Sequence, residues 1–348
     1  MHSVRHRRAA AATGVLTAAL LTWLPAASGS AAAQTTPSAQ AAQPAQTTRP
    51  AQTNQPAQSA QPRNGEPALG RILINPATAD LKLPFDSVTD TAAERRMTDV
   101  AQNRLITRCM ARYGITYVRQ DPAPVTGPED PHRYLFGLAD PAFAATHGYD
   151  TTAGTPRPPR PEEPPLNDDG LTALYGHRPG DTLPMPDPLS EEEAQETDTG
   201  IKVNGVSVPV HGCLGEGYRT LYFPTRTSID ALFPFMLSSE AHTRAKADSR
   251  MQRVFGLWSR CMARAGYPGI ETPYEVTRKL DFGDDLDGPA AIAAAVRDVA
   301  CKRKVNLVGF GAAIETAHQK RVASEVADDL AAYRSQRATR LALAATLP

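Results

Sequence analysis

Residues 251–268 read MQRVFGLWSRCMARAGYP, and this segment sets the architecture that we expect for the rest of the chain. Its apolar residues recur at spacings of three, four and seven, which places them on one face of a helix. Gly266 supplies the left-handed residue that a helix end needs, and Pro268 cannot continue a helix. The segment therefore predicts an amphipathic helix with a Schellman-type end.

The end of this helix has an earlier copy. The letters RCMAR occur at 108–112 and again at 260–264, and each copy is followed by one residue and then a glycine. Thr91 and Glu94 predict a capping box at the start of the first helix. Cys109 and Cys261 fall on the buried face, one turn from each helix end. Because no neighbouring histidine or Cys-x-x-Cys pair accompanies them, we interpret both as structural cysteines, not as reactive or metal-binding thiols.

The N-terminus predicts export. Residues 2–8 are basic, residues 9–24 form an apolar run, and residues 31–33 are alanines that suit signal peptidase. We predict a signal peptide over residues 1–33; a retained membrane anchor is the alternative, although the run is short for a spanning helix. Residues 34–67 repeat Pro-Ala-Gln and predict a disordered spacer rich in Pro, Gln, Ala and Thr.

The chain contains four cysteines, and an oxidising compartment predicts that they form two disulfides. Four cysteines allow three pairings, which the sequence alone does not distinguish. The duplication favours one of them, because each Cys-Met copy is followed by one later cysteine. We predict Cys109–Cys213 and Cys261–Cys301, one staple for each half of the chain.

A helix start, a loop and a hairpin follow the first copy. Asp140-Pro141 places a capping aspartate before a first-turn proline, which predicts a helix. Residues 151–188 are rich in proline and predict a long loop. Residues 201–208 alternate around Asn204-Gly205, which is the strongest short signal for a β-hairpin.

Helices dominate the C-terminal part. Residues 228–266 predict a helix that Pro234 bends or breaks, and Pro289 opens a helix that carries Cys301. Residues 311–343 predict one long amphipathic helix, which we expect to pack against the segment at 251–262; binding to a partner is the alternative.

These elements predict a mainly α fold. It consists of disulfide-stapled antiparallel helices from a duplicated helical unit, with one small β-hairpin and a long proline-rich loop. The helical secreted domain is expected to cover residues 68–348, in halves of about 68–200 and 201–348.

Charge and missing motifs exclude several functions. The 37 basic and 37 acidic side chains give a formal net charge of zero, which disfavours nucleic acid and a strongly anionic membrane surface as partners. We find no Gly-x-Ser-x-Gly, no phosphate-binding glycine loop and no His-Glu-x-x-His. The acidic run at 281–288 resembles a calcium loop, but Gly283 and Ile292 break the ligand spacing. We interpret it as a solvated loop that caps the next helix, and we predict no cofactor.

The irregular middle region contains four histidines: His132, His147, His177 and His211. Imidazoles with nearby aspartates would suit zinc, but their spacings match no ligand pattern. The acid pairs at 162–163 and 168–169 could serve a glycosidase, although acids in proline-rich loops are usually solvated. We therefore predict no catalytic, cofactor-binding or metal-binding residue, and the four cysteines are the only site residues.

Several motifs form a recognisable set. They are a Cys-Met-x-x-x-Gly-Tyr segment at 261–267, the Asp140-Pro141 start before Gly148-Tyr149, the Gly212-Cys213 pair and DVACK at 298–302. Together they resemble a family of exported, uncharacterised proteins of high-GC Gram-positive bacteria, over most of the chain after about residue 89. The first copy departs from the pattern with Tyr113-Gly114-Ile115. The resemblance implies a compartment and a fold, and no mechanism.

We predict an exported, non-catalytic protein, secreted or associated with the cell envelope, whose partner is a cell-wall or envelope component. No nucleic acid and no transmembrane segment after signal removal are expected. The alternatives are an envelope hydrolase with a site between the two halves and a metal-handling protein that uses the middle histidines. An enzyme would show a deep pocket with convergent acids, a binding module an exposed apolar patch or groove, and a metal protein a melting temperature raised by zinc.

Overall fold

The described part of the chain is mainly helical. The computed structural model describes residues 65–127, 129–153, 165–181 and 189–347, so the predicted signal peptide and almost all of the predicted spacer lie outside these ranges. Within them are eleven α-helices and one two-stranded antiparallel sheet, which confirms the predicted fold class. The helices are α1 (Ala92–Ala111), α2 (Pro141–His147), α3 (Asp168–Tyr175), α4 (Glu191–Glu196), α5 (Gly212–Tyr222), α6 (Phe233–Ala247), α7 (Ser249–Arg264), α8 (Val276–Leu280), α9 (Pro289–Lys304), α10 (Leu307–Glu325) and α11 (Ala327–Thr346).

The sheet is the predicted hairpin. Strands β1 (Lys202–Val203) and β2 (Val206–Ser207) pair on either side of Asn204-Gly205, and both turn residues have positive φ. The two strands are shorter than the alternating run at 201–208, although the Val208 N–H also donates to the Ile201 carbonyl oxygen at 2.9 Å. The hairpin is held on the helical body by Tyr113, whose hydroxyl donates to the Ser207 carbonyl oxygen at 2.9 Å.

The two RCMAR copies end in the same way. Gly114 and Gly266 have φ values of +71° and +97°, the left-handed conformation that glycine adopts without strain. In each copy the residue after the glycine donates its N–H to the carbonyl oxygen of the methionine, at 3.3 and 3.0 Å. This is the bond that defines a Schellman end, so the repeated sequence produces a repeated structure.

Two disulfides join these helices to later ones. Cys109 on α1 is bonded to Cys213 on α5, with 5.5 Å between the Cα atoms. Cys261 on α7 is bonded to Cys301 on α9, with 5.7 Å between the Cα atoms. These are the pairs that the order of the cysteines predicts.

The helices pack in two main clusters. Side chains from α2, α7, α9 and α10 form a core around the fully buried Trp258. A second cluster surrounds the Cys109–Cys213 disulfide, where α1 packs against α3 and α5. α1 and α5 run antiparallel, because the far end of α5 brings the Tyr222 hydroxyl to Thr98, near the start of α1. α1 also packs on α11, and α2 packs on α9.

The predicted helix over residues 228–266 is wrong, because α6 and α7 are separate helices that meet at Asp248. Pro234 lies in the first turn of α6, where its missing N–H is not needed, so it starts this helix instead of bending it. Asp248 caps α7, since its carboxylate accepts a hydrogen bond from the Arg250 backbone N–H at 2.9 Å.

The single helix predicted over residues 311–343 is also divided. Val326 has φ −127° and ψ 37°, which is not helical, and it separates α10 from α11. α10 packs on α6 and α7, whereas α11 packs on α1 and α5. The region at 151–188 contains α3, which buries Ala173 and Leu174, so it is not a loop throughout. Among the described helices, none combines the length and the apolar composition needed to span a bilayer.

Candidate ligand-binding site

The four middle histidines are not brought together. Their neighbours differ: His132 Nε2 lies 3.1 Å from an Asp86 oxygen, His147 contacts the Phe143 ring, His177 Nδ1 lies 3.2 Å from the Arg178 carbonyl oxygen, and His211 lies beside Arg219. Within the residues that the structure describes, no group of three or more His, Cys, Asp or Glu side chains could hold a metal ion. The metal-handling alternative therefore gains no support from this part of the chain.

The paired acids have local positions. Asp168 and Asp169 lie in the first turn of α3, where negative charge is favourable beside the helix N-terminus. The pair at 162–163 lies outside the described residues. The acidic run before α9 ends at Gly288, which is the N-cap, and no side chain caps the helix by a hydrogen bond. The run therefore supplies the N-cap residue of α9 as predicted, but through the backbone and not through an acidic side chain.

A buried ion pair joins α7, α9 and the segment before α2. Asp298 accepts hydrogen bonds from Trp258 Nε1 at 2.9 Å, from Lys302 Nζ at 2.9 Å and from the Tyr149 hydroxyl at 3.3 Å. Lys302 Nζ also donates to the Leu138 carbonyl oxygen at 2.6 Å. Burial raises the pKa of Asp298 and lowers the pKa of Lys302. Because both groups are partnered and out of reach of solvent, this network holds helices together and does not offer a binding site.

A second buried ion pair joins the corner between α6 and α7 to α10. The Asp248 carboxylate accepts hydrogen bonds from Arg250 at 2.9 and 2.6 Å and lies 3.0 Å from His318 Nε2. Burial raises the pKa of Asp248, but the hydrogen bonds from Arg250 and His318 outweigh this effect. The net pKa therefore lies below the ordinary value of 3.8.

We expect Asp248→Asn to lower the free energy of unfolding at pH 7 by about 2 kcal/mol. The effect stays moderate because Arg250 keeps Glu66 at 3.7 Å and the Pro67 carbonyl oxygen at 2.9 Å. A depressed folded-state pKa contributes stability above the unfolded-state pKa, and this contribution is lost as the pH falls through the folded-state pKa. Urea unfolding from pH 7 to pH 3 should therefore show the two proteins converging below about pH 4. A constant difference over this range would contradict the linkage.

A surface groove lies between the end of α5, the loop from α5 to α6, and α11. Its volume is about 400 Å³. Six hydroxyl side chains line it: Thr220, Thr225, Thr227, Ser228, Ser335 and Thr339. Leu221, Ile229 and Leu343 supply apolar surface, and Gln336 and Arg340 supply an amide and a guanidinium. We call this the hydroxyl-lined groove.

Gln336 fixes the loop of the groove onto α11. Its side-chain oxygen accepts a hydrogen bond from the Ile229 N–H at 2.8 Å. Its side-chain nitrogen donates to the carbonyl oxygens of Tyr222 and Ile229, at 3.0 and 2.9 Å. One amide on a rigid helix therefore ties down both ends of the loop, which gives the groove a preformed shape.

Arg340 is the charged group of the groove. It donates to both Asp90 oxygens at 2.8 and 2.6 Å, and its guanidinium lies over the Tyr222 ring at 4.8 Å. Its Nε is buried and has no hydrogen-bond partner within the described part of the chain. Tyr218, 40% exposed, stacks on Tyr222 with 4.9 Å between ring centroids, so an accessible aromatic ring lies close to the groove.

The chain that leaves the groove exposes further apolar side chains. The loop continues into the first turn of α6, where Leu232, Phe235 and Met236 are 61%, 71% and 51% exposed. Large apolar residues that stay in solvent as a group mark interaction surfaces more often than isolated ones do. The region around the groove thus combines convergent polar groups with exposed aromatic and aliphatic side chains.

Sequence reasoning did not find this groove. Its residues come from 220–229 and 332–343, and no periodicity or motif connects the two segments. One signal was present in the sequence. Arg340 lies four residues before Ala344 on the buried face of α11, and a charged side chain in such a position is expected to have a partner. No protein-family model, curated protein or solved structure matches this chain.

Proposed function

We propose that this chain is an exported, non-catalytic binding protein of the cell envelope, and that the hydroxyl-lined groove is its ligand-binding site. Two disulfides suit an oxidising compartment, and the predicted signal peptide suits export. The observation that carries the proposal is the preformed groove, with its six hydroxyl groups beside exposed aromatic and aliphatic side chains. The ion pairs of Asp298 and Asp248 are buried away from it, and each charge there has a protein partner.

The chemistry of the groove favours a ligand rich in hydroxyl and amide groups. Thr220 and Thr339 donate to backbone carbonyl oxygens of their own helices, and the Thr225 hydroxyl shares hydrogen bonds with those of Thr227 and Ser228. A hydroxyl oxygen has two acceptor lone pairs, so the six oxygens still offer acceptors to the hydroxyl and amide groups of such a ligand. The Tyr218 ring offers an apolar face against which the carbon-bound hydrogens of a sugar ring pack. An envelope glycan has this combination of groups, and we propose that it is the ligand class.

A pair of variants on α11 tests this site. Ala332 lines the groove and is exposed, whereas the adjacent Ala331 is exposed but does not line it. We expect Ala332→Trp to fill part of the groove and to weaken binding at least about tenfold, since each 1.4 kcal/mol of lost contact is one factor of ten. Co-sedimentation of the full chain with insoluble cell-wall glycan, over a range of glycan concentrations, measures the affinity.

Ala331→Trp is the matched control, because it places the same residue on the same helix outside the groove. It should bind like the unsubstituted chain and melt at the same temperature as Ala332→Trp. Equal losses in both variants would exclude the groove as the site, and no sedimentation of the unsubstituted chain would exclude the glycan class. Release of soluble sugar from the glycan would instead favour the alternative of an envelope hydrolase.

A further inference from the structure

A second surface groove lies between α10 and the segment at 70–83, which includes a short 3-10 helix at Thr78–Asp80. Its volume is about 260 Å³. Leu73, Leu81, Leu83, Ala312 and Ala313 give it apolar walls, and Arg71, Lys82 and Lys320 give it charge. Among the described residues, none that lines it is acidic. We call it the basic groove.

Hydrogen bonds near both ends of α10 hold residues 65–75 along this helix. Near the C-terminal end of α10, Arg321 donates a hydrogen bond to the Gly65 carbonyl oxygen. Just before its N-terminus, the Asn306 amide donates to the Leu73 carbonyl oxygen at 2.8 Å and accepts from the Asn75 N–H at 2.7 Å. Residues 65–75 therefore run antiparallel to α10. The chain then returns toward the C-terminal end of α10, where the Phe85 N–H donates to Gln319 Oε1 at 3.0 Å, so both stretches supply residues to the basic groove.

The three cations of the basic groove are exposed and make no ion pair with any described residue. The Asp86 carboxylate interacts electrostatically with Lys82, but its hydrogen bonds come from the Leu83 N–H and from His132. Among the described residues, Arg71, Lys82 and Lys320 thus have no carboxylate within salt-bridge distance, and Asp86 interacts with Lys82 only from further away. The zero net charge of the whole chain conceals this local surplus.

Apolar side chains extend from the same wall. Leu73 lines the groove and is 41% exposed, and its neighbour Ile74 is 79% exposed. A surface that combines unpaired cations with exposed aliphatic side chains is complementary to an amphiphile with an anionic headgroup. Pockets that enclose a whole small ligand measure about 300–1,000 Å³. The basic groove is smaller, so it accepts only part of such a molecule, and the rest stays in a bilayer.

We propose that the basic groove docks the protein on a membrane surface by binding the headgroup of an anionic phospholipid, with Leu73 and Ile74 against the acyl-chain boundary. Each Lys or Arg near an anionic membrane surface strengthens binding about fivefold, so three of them strengthen it about a hundredfold. The proposal does not depend on the hydroxyl-lined groove, because the two sites share no residue.

Flotation of the full chain with vesicles tests the proposal. Vesicles of phosphatidylcholine with about one third phosphatidylglycerol should bind the chain, and pure phosphatidylcholine should not. Arg71→Gln/Lys82→Gln/Lys320→Gln should lower the partition coefficient about a hundredfold. The matched control is Arg253→Gln/Arg334→Gln/Lys279→Gln, which removes the same charge from exposed cations outside the groove. This control should keep most of the binding.

Two further arms separate the possible sources of the headgroup. Ile74→Ser should weaken binding by a similar factor at low and high salt, because salt screens the charges and leaves the apolar contact unchanged. A water-soluble short-chain phosphatidylglycerol, kept below its micelle concentration, should bind much more weakly than the vesicles. Equal loss in both triple variants, no binding to the anionic vesicles, or equal affinity for the monomeric lipid would each overturn the proposal. Circular dichroism melting of every variant excludes loss of fold as the cause.

Discussion

Replacing Asp298 with alanine is expected to lower the free energy of unfolding by about 3–5 kcal/mol, because the change removes one partner of a buried ion pair. The Lys302 ammonium would remain buried with only the Leu138 carbonyl oxygen beside it, and Trp258 Nε1 would lose its acceptor. Leaving a charge unpaired inside a protein costs more than the pair itself contributes. Urea unfolding followed by tryptophan fluorescence measures the loss, since Trp258 is the tryptophan of the described part and reports directly on this site.

Two further variants separate this effect from a general loss of negative charge. Asp287 is exposed in the loop before α9, so Asp287→Ala should change the free energy of unfolding by no more than about 0.5 kcal/mol. The double variant Asp298→Ala/Lys302→Met should be more stable than Asp298→Ala alone, because it removes the unpaired ammonium. An equal or larger loss in the double variant would show that packing around Asp298, and not its charge, explains the first result.

Removal of the Cys109–Cys213 disulfide is expected to lower the free energy of unfolding by about 4–5 kcal/mol. The bridge closes a sequence separation of 104 residues, and its removal frees the unfolded chain by the entropy of that loop. The Cys261–Cys301 bridge closes a separation of 40 residues, for which the same relation gives about 4 kcal/mol. Urea unfolding of Cys109→Ala/Cys213→Ala and Cys261→Ala/Cys301→Ala, each with the other bridge intact, measures both losses.

The informative result is which disulfide, when removed, lowers the free energy of unfolding more. A larger loss from the shorter loop would contradict loop-closure entropy as the main contribution and would point to packing within the folded state. The reduced, unsubstituted chain is the control, because it lacks both bridges but keeps all four cysteines. Its stability should lie below that of either double variant.

Short local sequence patterns correctly predicted where α1 begins and where α1 and α7 end. Thr91 and Glu94 cap α1 reciprocally, and the two RCMAR copies end at glycines in the same conformation. These features depend on residues within six positions of one another, so no knowledge of the tertiary structure is needed. Asn204-Gly205 predicted the hairpin for the same reason.

Helix divisions were harder to predict than helix ends. The apolar stripe continues through Val326, but the helices before and after it pack against different partners. The periodicity of apolar residues indicates which side chains are buried, but it does not indicate which helix they pack against. The division at Asp248 depends on a cap that the sequence analysis did not identify, and the distant His318 helps to hold its carboxylate in place.

The candidate site could not be predicted from the sequence for a related reason, because it depends on contacts between distant segments. The hydroxyl-lined groove forms only because Gln336 on α11 binds the loop after α5, more than one hundred residues earlier in the chain. The basic groove likewise needs Arg71 and Lys320, which are far apart in the sequence, to line the same groove beside α10. Neither set of residues has a characteristic spacing, whereas the duplicated Cys-Met segment favoured the cysteine pairing that the structure contains.

The geometry between α7 and α9 has a consequence for how the chain oxidises. Trp258 and Cys261 lie three residues apart on α7, and their partners Asp298 and Cys301 lie three residues apart on α9. A chain in which Cys261 has joined Cys109 or Cys213 holds α7 against the wrong helix, so Asp298 lacks its indole donor. Lys302 lies on the same helix and stays beside the carboxylate, so such a species loses the indole hydrogen bond together with the native disulfide. The Trp258–Asp298 hydrogen bond and the Cys261–Cys301 disulfide therefore specify the same pairing of α7 with α9.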